Sequence, residues 1–149
     1  MSLQEKVMQE MKAAMKAKDS VALESLRAIK SAILLAQTEK GVGNGLSEEE
    51  EIKMVQRLVK QRKDSAAIYT EQGREDLAST ELSQVAIIEK FLPEQLDEAT
   101  IEKMVSETIQ ELGADGMKDM GKVMGVVSKK LAGQADGKTI SNIVRKQLT

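Results

Sequence analysis

A chain of 149 residues, 41% of them hydrophobic and 31% charged, carries enough apolar material for one domain or two small ones. With no Trp, one Tyr (Tyr69) and one Phe (Phe91), its core must be filled by Leu, Ile, Val, Ala and nine Met, a set suited to helix-on-helix packing. The lack of Cys and His excludes disulfides, thiolate nucleophiles, Cys/His zinc sites and Ser-His or Cys-His catalytic pairs, so no metal or cofactor is expected.

The opening stretch MSLQEKVMQEMKAAMKAKDS is amphipathic and lysine-rich, with no long apolar run. It predicts neither a secretory signal nor a membrane span, and the cytoplasm is the expected location. Leu3, Val7, Met11 and Met15 form the apolar face of a first helix, and Ala22, Leu26, Ile29, Ile33 and Ala36 that of a second, with Asp19 as a cap between them. GVGNG, Gly41 to Gly45, reads as a flexible connector. Ser47 with Glu50 then makes a capping box, and the acids Glu48 to Glu51 suit the positive end of the helix they open. That third helix should bury Ile52, Val55, Val59, Ala66 and Tyr69 and stop at Gly73; a fourth should bury Ala78, Leu82, Val85 and Ile88.

Pro93, the only proline, sits in FLPEQL and pushes the residue before it away from helix, which places a boundary near 91–96. Three shorter helices follow, at about 97–112, 117–132 and 137–148, punctuated by Gly113, Gly116, Gly133 and Gly137. The expectation is an all-α protein: an N-terminal helical hairpin domain of about four helices, residues 1–93, and a small C-terminal three-helix domain, residues 94–149. Charge is unevenly spread between the parts. Residues 94–116 carry Lys103 against seven acids, whereas 117–149 carry seven bases against Asp119 and Asp136.

Two glycine-rich stretches invite a nucleotide-binding reading. GQADGKT, Gly133 to Thr139, ends like a phosphate loop, but it has three residues where that loop needs four. A helix precedes it instead of a strand, and Asp136 would set a carboxylate where phosphate belongs. It reads as a helix junction, with Gly133 as the stop and Asp136 as the next N-cap. GVGNG lacks the dinucleotide spacing and a preceding strand.

The helix DMGKVMGVVSKK holds the candidate site. Its phase places Met117, Met120, Met124, Val127 and Leu131 in one arc facing the core. Measured from Met117, Gly121 and Gly125 lie at about 40° and 80°, and Lys118, Lys129 and Lys122 at about 100°, 120° and 140°. Apolar, bare-backbone and lysine stripes therefore run side by side. Two glycines inside a helix cost about 1 kcal/mol each relative to Ala, and two explanations stay open. A neighbouring helix approaches closely there, or the bare stripe admits a bulky anion such as an RNA backbone. Lys130, Lys138, Arg145 and Lys146 extend the positive field. No aromatic side chain is interleaved for base stacking, so shape and phosphate contact would be the mode of binding. KQRKDS, Lys60 to Ser65, is a second basic cluster and reads as a solvated face with local acid partners. The carboxylates fit helix starts and exposed faces, and none pairs in a way that calls for acid–base catalysis.

DMGKVMGVVSKKLAGQADGKTISNIVRKQL resembles the C-terminal tail domain of GatB, the B subunit of tRNA-dependent amidotransferases. The shared features are the Gly121-Lys122-x-Met124-Gly125 helix, the Gly133-x-Ala135-Asp136 junction and a last helix ending in Leu148. Gly137 stands where the GatB tail often has proline. Over essentially its whole length the chain is similar to the stand-alone YqeY family, with KQRKDS, FLPEQL and the final motif in matching order. That resemblance implies an all-helical, two-part fold and kinship with enzymes that pass glutamine-derived ammonia to Glu-tRNA(Gln) or Asp-tRNA(Asn). It carries over no active site, since glutaminase and transamidation centres lie in other parts of those enzymes; a label of carbon–nitrogen ligase with glutamine as donor would be inherited from them. It implies tRNA contact by the tail. The expectation is a non-catalytic protein that binds tRNA or structured RNA through Lys118, Gly121, Lys122, Gly125, Lys129, Lys130, Lys138 and Arg145. The alternative is an interaction module that docks on an aminoacyl-tRNA-related or other translation enzyme through apolar or Met-bearing helix faces.

Overall fold

The structure, a computed structural model, describes residues 2–40 and 45–149; of the GVGNG connector only Gly45 falls among them. The described residues form helices and no strand, as an aromatic-poor, Leu/Val/Met-rich chain should. The helices are α1 (Leu3–Ala17), α2 (Ser20–Lys40), α3 (Glu48–Glu71), α4 (Glu75–Ile88), α5 (Glu98–Leu112), α6 (Met120–Lys130) and α7 (Gly137–Leu148). Short 3₁₀ turns follow α4 at Glu89–Phe91 and precede α6 at Met117–Asp119. The contacts divide the chain into two compact units, Met1–Leu92 and Pro93–Thr149.

Local chemistry sets most helix starts. Ser2 with Glu5, and Ser47 with Glu50, close reciprocal capping boxes at α1 and α3. Asp19 Oδ1 accepts from the Ala22 amide at 3.0 Å, and Asp97 Oδ1 from that of Thr100 at 2.8 Å. Lys18 carries a left-handed backbone, φ 56°, and its amide reaches back to Ala14 and Met15, which stops α1 in a two-residue turn before α2.

In the first unit Leu3, Val7, Ala14, Leu26, Ile29, Ile33, Val55, Val59, Val85 and Ile88 form one buried cluster. The expected faces need two corrections. Met15 is 54% exposed and Ala14 buried in its stead. A strict four-residue step overshoots a full turn by about 40°, so the row Leu3, Val7, Met11, Met15 rotates out of the core by its end. In α4, Leu82 is 50% exposed while Gln84 is buried, because α4 packs on both α2 and α3 and its buried arc is centred further round. Gln84 Oε1 accepts from Arg62 Nε at 2.8 Å, and Arg62 also donates to the Leu58 carbonyl, so the buried amide is satisfied across the α3–α4 hairpin.

The second unit packs α5, α6 and α7 mutually around Ile101, Val105, Val123, Val127, Leu131, Ile140, Val144 and Leu148. Here the phase of α6 differs from expectation. Met117 is 43% exposed, and Val123 is fully buried. Met117 lies on the 3₁₀ turn before α6 and not in the helix itself, so the buried arc is set by α6 alone, where Val123 stands about 40° from Val127.

The GQADGKT stretch is a helix junction. Gly133 takes φ 78°, a left-handed conformation that a side chain would strain, and Asp136 caps α7 through the Thr139 amide at 2.6 Å. The junction is also held from outside. Gln95 Nε2 donates to the Gly133 carbonyl at 2.6 Å, and the Leu96 amide to that of Gln134 at 2.9 Å. FLPEQL and GQADG, far apart in sequence, are therefore bonded to each other.

Leu131 is almost fully buried where α6 ends. Leu131→Ala should destabilise the second unit by about 2–5 kcal/mol. Hydrogen exchange should show protection lost across α5–α7, with α1–α4 changed little.

Candidate nucleic-acid interface

The direction each side chain takes on α6 and α7 follows from what is buried and what is bonded. Measured from Met120, the buried Val123, Val127 and Leu131 lie at about 300°, 340° and 20°. Lys130, at about 280°, meets α5. Its Nζ is 3.1 Å from Glu111 Oε2 and 3.3 Å from Thr108 Oγ1. The opposite flank of α6 carries Ser128, Gly121 and Gly125 at about 80°, 100° and 140°, followed by Lys129 and Lys122 at about 180° and 200°.

On α7 the α5 side is marked by a depression shared between Glu98 and Glu102 of α5 and Asn142, Ile143 and Lys146 of α7. There Gln147 Nε2 donates to the Glu102 carbonyl at 2.9 Å. Ser141, Arg145 and Lys138 lie at about 40°, 80° and 100° from Gly137, on the flank turned away from α5 and towards α6. The outer α6–α7 face therefore has a floor of Gly121, Gly125 and Ser128. Lys122 and Lys129 stand on one side, and Lys138 and Arg145 on the other.

The glycines are not spacers for a packed helix. A Cβ built at Gly121 or Gly125 meets no atom within 4 Å, and both positions are exposed. Close approach of a neighbouring helix, one of the two explanations open from sequence, is not found among the described residues. The cations beside them are free as well: the side chains of Lys118, Lys122, Lys129, Lys138, Arg145 and Lys146 make no hydrogen bond or ion pair among the described residues. Lys118 stands on the 3₁₀ turn before α6, exposed. Of the eight residues singled out from sequence, seven are exposed and unpaired, whereas Lys130 points to the other flank and is held by α5. No pattern in sequence marks that partner, because Glu111 is 19 residues away.

KQRKDS has a different fate. Lys60 pairs with Asp64 at 3.0 Å, Lys63 with Glu89 at 3.3 Å, and Arg62 is bound to Gln84. The basic cluster on α3 is thus engaged within the chain, whereas the one on α6–α7 is largely free. The perturbed carboxyls sit at helix starts. Burial and then Glu48 raise that of Glu51, whereas hydrogen bonds from Arg74 and from Thr100 lower those of Asp76 and Asp97. Pairing accounts for Asp76, capping for Asp97, and burial beside the like-charged Glu48 for Glu51.

Fold and face together define an all-helical, two-unit protein with a cationic, small-residue surface on its second unit. The chain matches the YqeY model, described as Yqey-like protein, over residues 4–148, and it belongs to that family. It is 40% identical over 58 residues to the E subunit of the glutamyl-tRNA(Gln) amidotransferase of Thermococcus gammatolerans, covering 39% of this chain and 9% of that one. To the corresponding protein of Thermococcus sibiricus it is 29% identical over 128 residues, 83% of this chain and 20% of the other. The chain thus spans a fifth or less of these amidotransferase relatives. It is 31% identical over 126 residues to the altered inheritance of mitochondria protein 41, mitochondrial, of Clavispora lusitaniae, covering 83% of this chain and 72% of that protein. Among the described residues, no helix is long and apolar enough to cross a membrane.

Open space at both glycines gives a stability test. Gly125→Ala should stabilise the chain by about 1 kcal/mol, and Gly121→Ala, in the first turn of α6, by less, since each methyl meets nothing and the helix gains propensity. Denaturant midpoints of the two variants check this; a fall in stability would mean the positions are not open.

Proposed function

We propose that this protein binds the backbone of tRNA or another structured RNA through the outer α6–α7 face, and that it performs no chemistry on its own. The observation that carries the reading is a pair of α6 glycines, Gly121 in its first turn and Gly125 inside it, open to solvent between two rows of unpaired cations. A bare helix surface lets a bulky polyanion approach within contact distance, and the flanking ammonium and guanidinium groups then meet phosphate oxygens. Lys118, Lys122, Lys129, Lys138 and Arg145 supply the contacts. Lys130, on the flank facing α5, adds to the local field only.

The proposed setting is that of an aminoacyl-tRNA-related enzyme in the cytoplasm. Support comes from the relatives named as E subunits of a glutamyl-tRNA(Gln) amidotransferase, of which this chain matches a small part. The altered inheritance of mitochondria protein 41 is named mitochondrial, and an organellar site of action is the alternative the same body would fit. Amidotransferase activity by this chain alone is not proposed.

Titration with bulk tRNA tests the reading. Five phosphate contacts give a log–log salt slope on the order of −4. Lys122→Glu with Lys129→Glu should abolish binding at moderate salt, and Lys129→Ala should weaken it clearly more than Lys130→Ala does. Gly125→Leu should weaken RNA binding while leaving the helical fold intact by circular dichroism. No binding at low salt, or equal effects at Lys129 and Lys130, would refute the proposal.

A further inference from the structure

The first unit has a surface that the RNA reading does not use. Met8 is 41% and Met15 54% exposed, although each belongs to a well-formed amphipathic helix. Measured from Leu3, Met11, Met15 and Met8 lie at about 80°, 120° and 140°, on one flank of α1. The other flank is fixed by a cleft in which Ala13 and Ala17 face Ala22 and Leu26 of α2 and Phe91 beyond α4. α1 packs extensively on α2 alone, so its methionine flank is left uncovered.

The antiparallel neighbour continues this surface. On α2 the cleft side is marked by Ala22 and Leu26, at about 200° and 240° from Ser20. Passing round the α1 side, Lys30, Leu23, Leu34 and Arg27 follow at about 280°, 300°, 320° and 340°. Leu34 is 48% exposed and lies opposite the first turn of α1, because the hairpin turns at Lys18 and Asp19. Half-buried Met11 and Leu23 form the floor between Leu34, Met8 and Met15. The strip runs for about 18 Å, the rise of twelve helical residues. Lys12, Arg27 and Lys30 line it, and none of their side chains makes an ion pair or hydrogen bond among the described residues.

We infer that this strip docks an acidic amphipathic helix of a partner protein. Exposed methionines adapt to the apolar ridge of such a helix, and its length matches three turns. The unpaired cations select acidic flanks and repel basic ones. A second copy pairing strip to strip would set the same cations against each other. The acidic helix α5 of another copy cannot serve, because its apolar side, Ile101 and Val105, is already buried. An RNA backbone finds an apolar centre where it needs donors.

Methyl-labelled methionine makes the strip its own reporter. The probes are two 20-residue amphipathic peptides with the same leucine ridge, one with Glu and one with Lys at the remaining positions. The Glu peptide should shift the Met8 and Met15 methyl resonances, and the Lys peptide should not. Met8→Gln with Met15→Gln should weaken the Glu peptide about tenfold or more, and Lys12→Glu with Arg27→Glu should reverse the preference. These positions are exposed, and circular dichroism checks that the helices persist. Equal binding of both peptides, binding indifferent to the methionine changes, or no binding would overturn the inference. So would methyl shifts produced by phosphatidylserine vesicles or by self-association in place of the Glu peptide. None of these outcomes bears on tRNA binding by the second unit.

Discussion

The arrangement of the second unit depends on one tight junction. Between α6 and α7 the chain must reverse within the few residues after Leu131, and a left-handed Gly133 makes the reversal without strain. A turn of this kind leaves carbonyls pointing outward, and two of them, those of Gly133 and Gln134, are taken up by Gln95 and the Leu96 amide. The segment leading into α5 is thereby fastened to the α6–α7 turn. With Asp136 fixing the first turn of α7, the relative rotation of both helices is set, and with it which side chains share the outer face. The resemblance to a phosphate loop is a by-product: a glycine stop followed by an aspartate cap and a Gly-Lys-Thr helix start.

Sequence carried much of this, because helix starts are local. Ser47 and Glu50 cap α3 with their own neighbours, and Asp19, Asp97 and Asp136 do likewise, so no distant information is needed to place them. What sequence could not supply depends on phase or on partners. Met117 belongs to the 3₁₀ turn before α6, so a single wheel drawn through 117–131 counts it in the core arc and leaves Val123 at that arc's edge, whereas Met117 is exposed and Val123 buried. The fates of Lys129 and Lys130, adjacent in sequence, diverge because one meets solvent and the other meets α5. Gln84 was invisible as a core residue, since a buried amide is tolerable only through a bond to Arg62 across the hairpin.

Electrostatics divides the second unit as sharply as packing joins it. The acids concentrate in residues 94–116, on and around α5, while Lys122, Lys129, Lys138 and Arg145 stand on the flanks of α6 and α7 turned away from it and only Lys146 of the free α7 cations lies on the α5 side. This separation gives the small unit one cationic side and one acidic side despite the chain's net charge of −2. The pair Lys130–Glu111 sits on the side where the two fields meet, and being exposed it contributes little stability.

The glycines are the sharpest part of the functional case because they work against the fold. Gly125, inside this eleven-residue helix, gives up about 1 kcal/mol of helix propensity, and Gly121 in the first turn adds a smaller cost, in a unit with a small core. Among the described residues nothing is returned for it: no neighbour uses the space, and neither glycine takes a positive φ. Alanine would fit at both positions. A cost of that kind, borne where the backbone lies bare between free cations, is what a surface would show if its close contacts belong to another molecule. The relatives sharpen the point, since what this chain shares with much longer proteins is the helical body alone. The body is therefore the unit whose chemistry needs explaining, and the α6–α7 face is where it gives up helix stability without a return from its own packing.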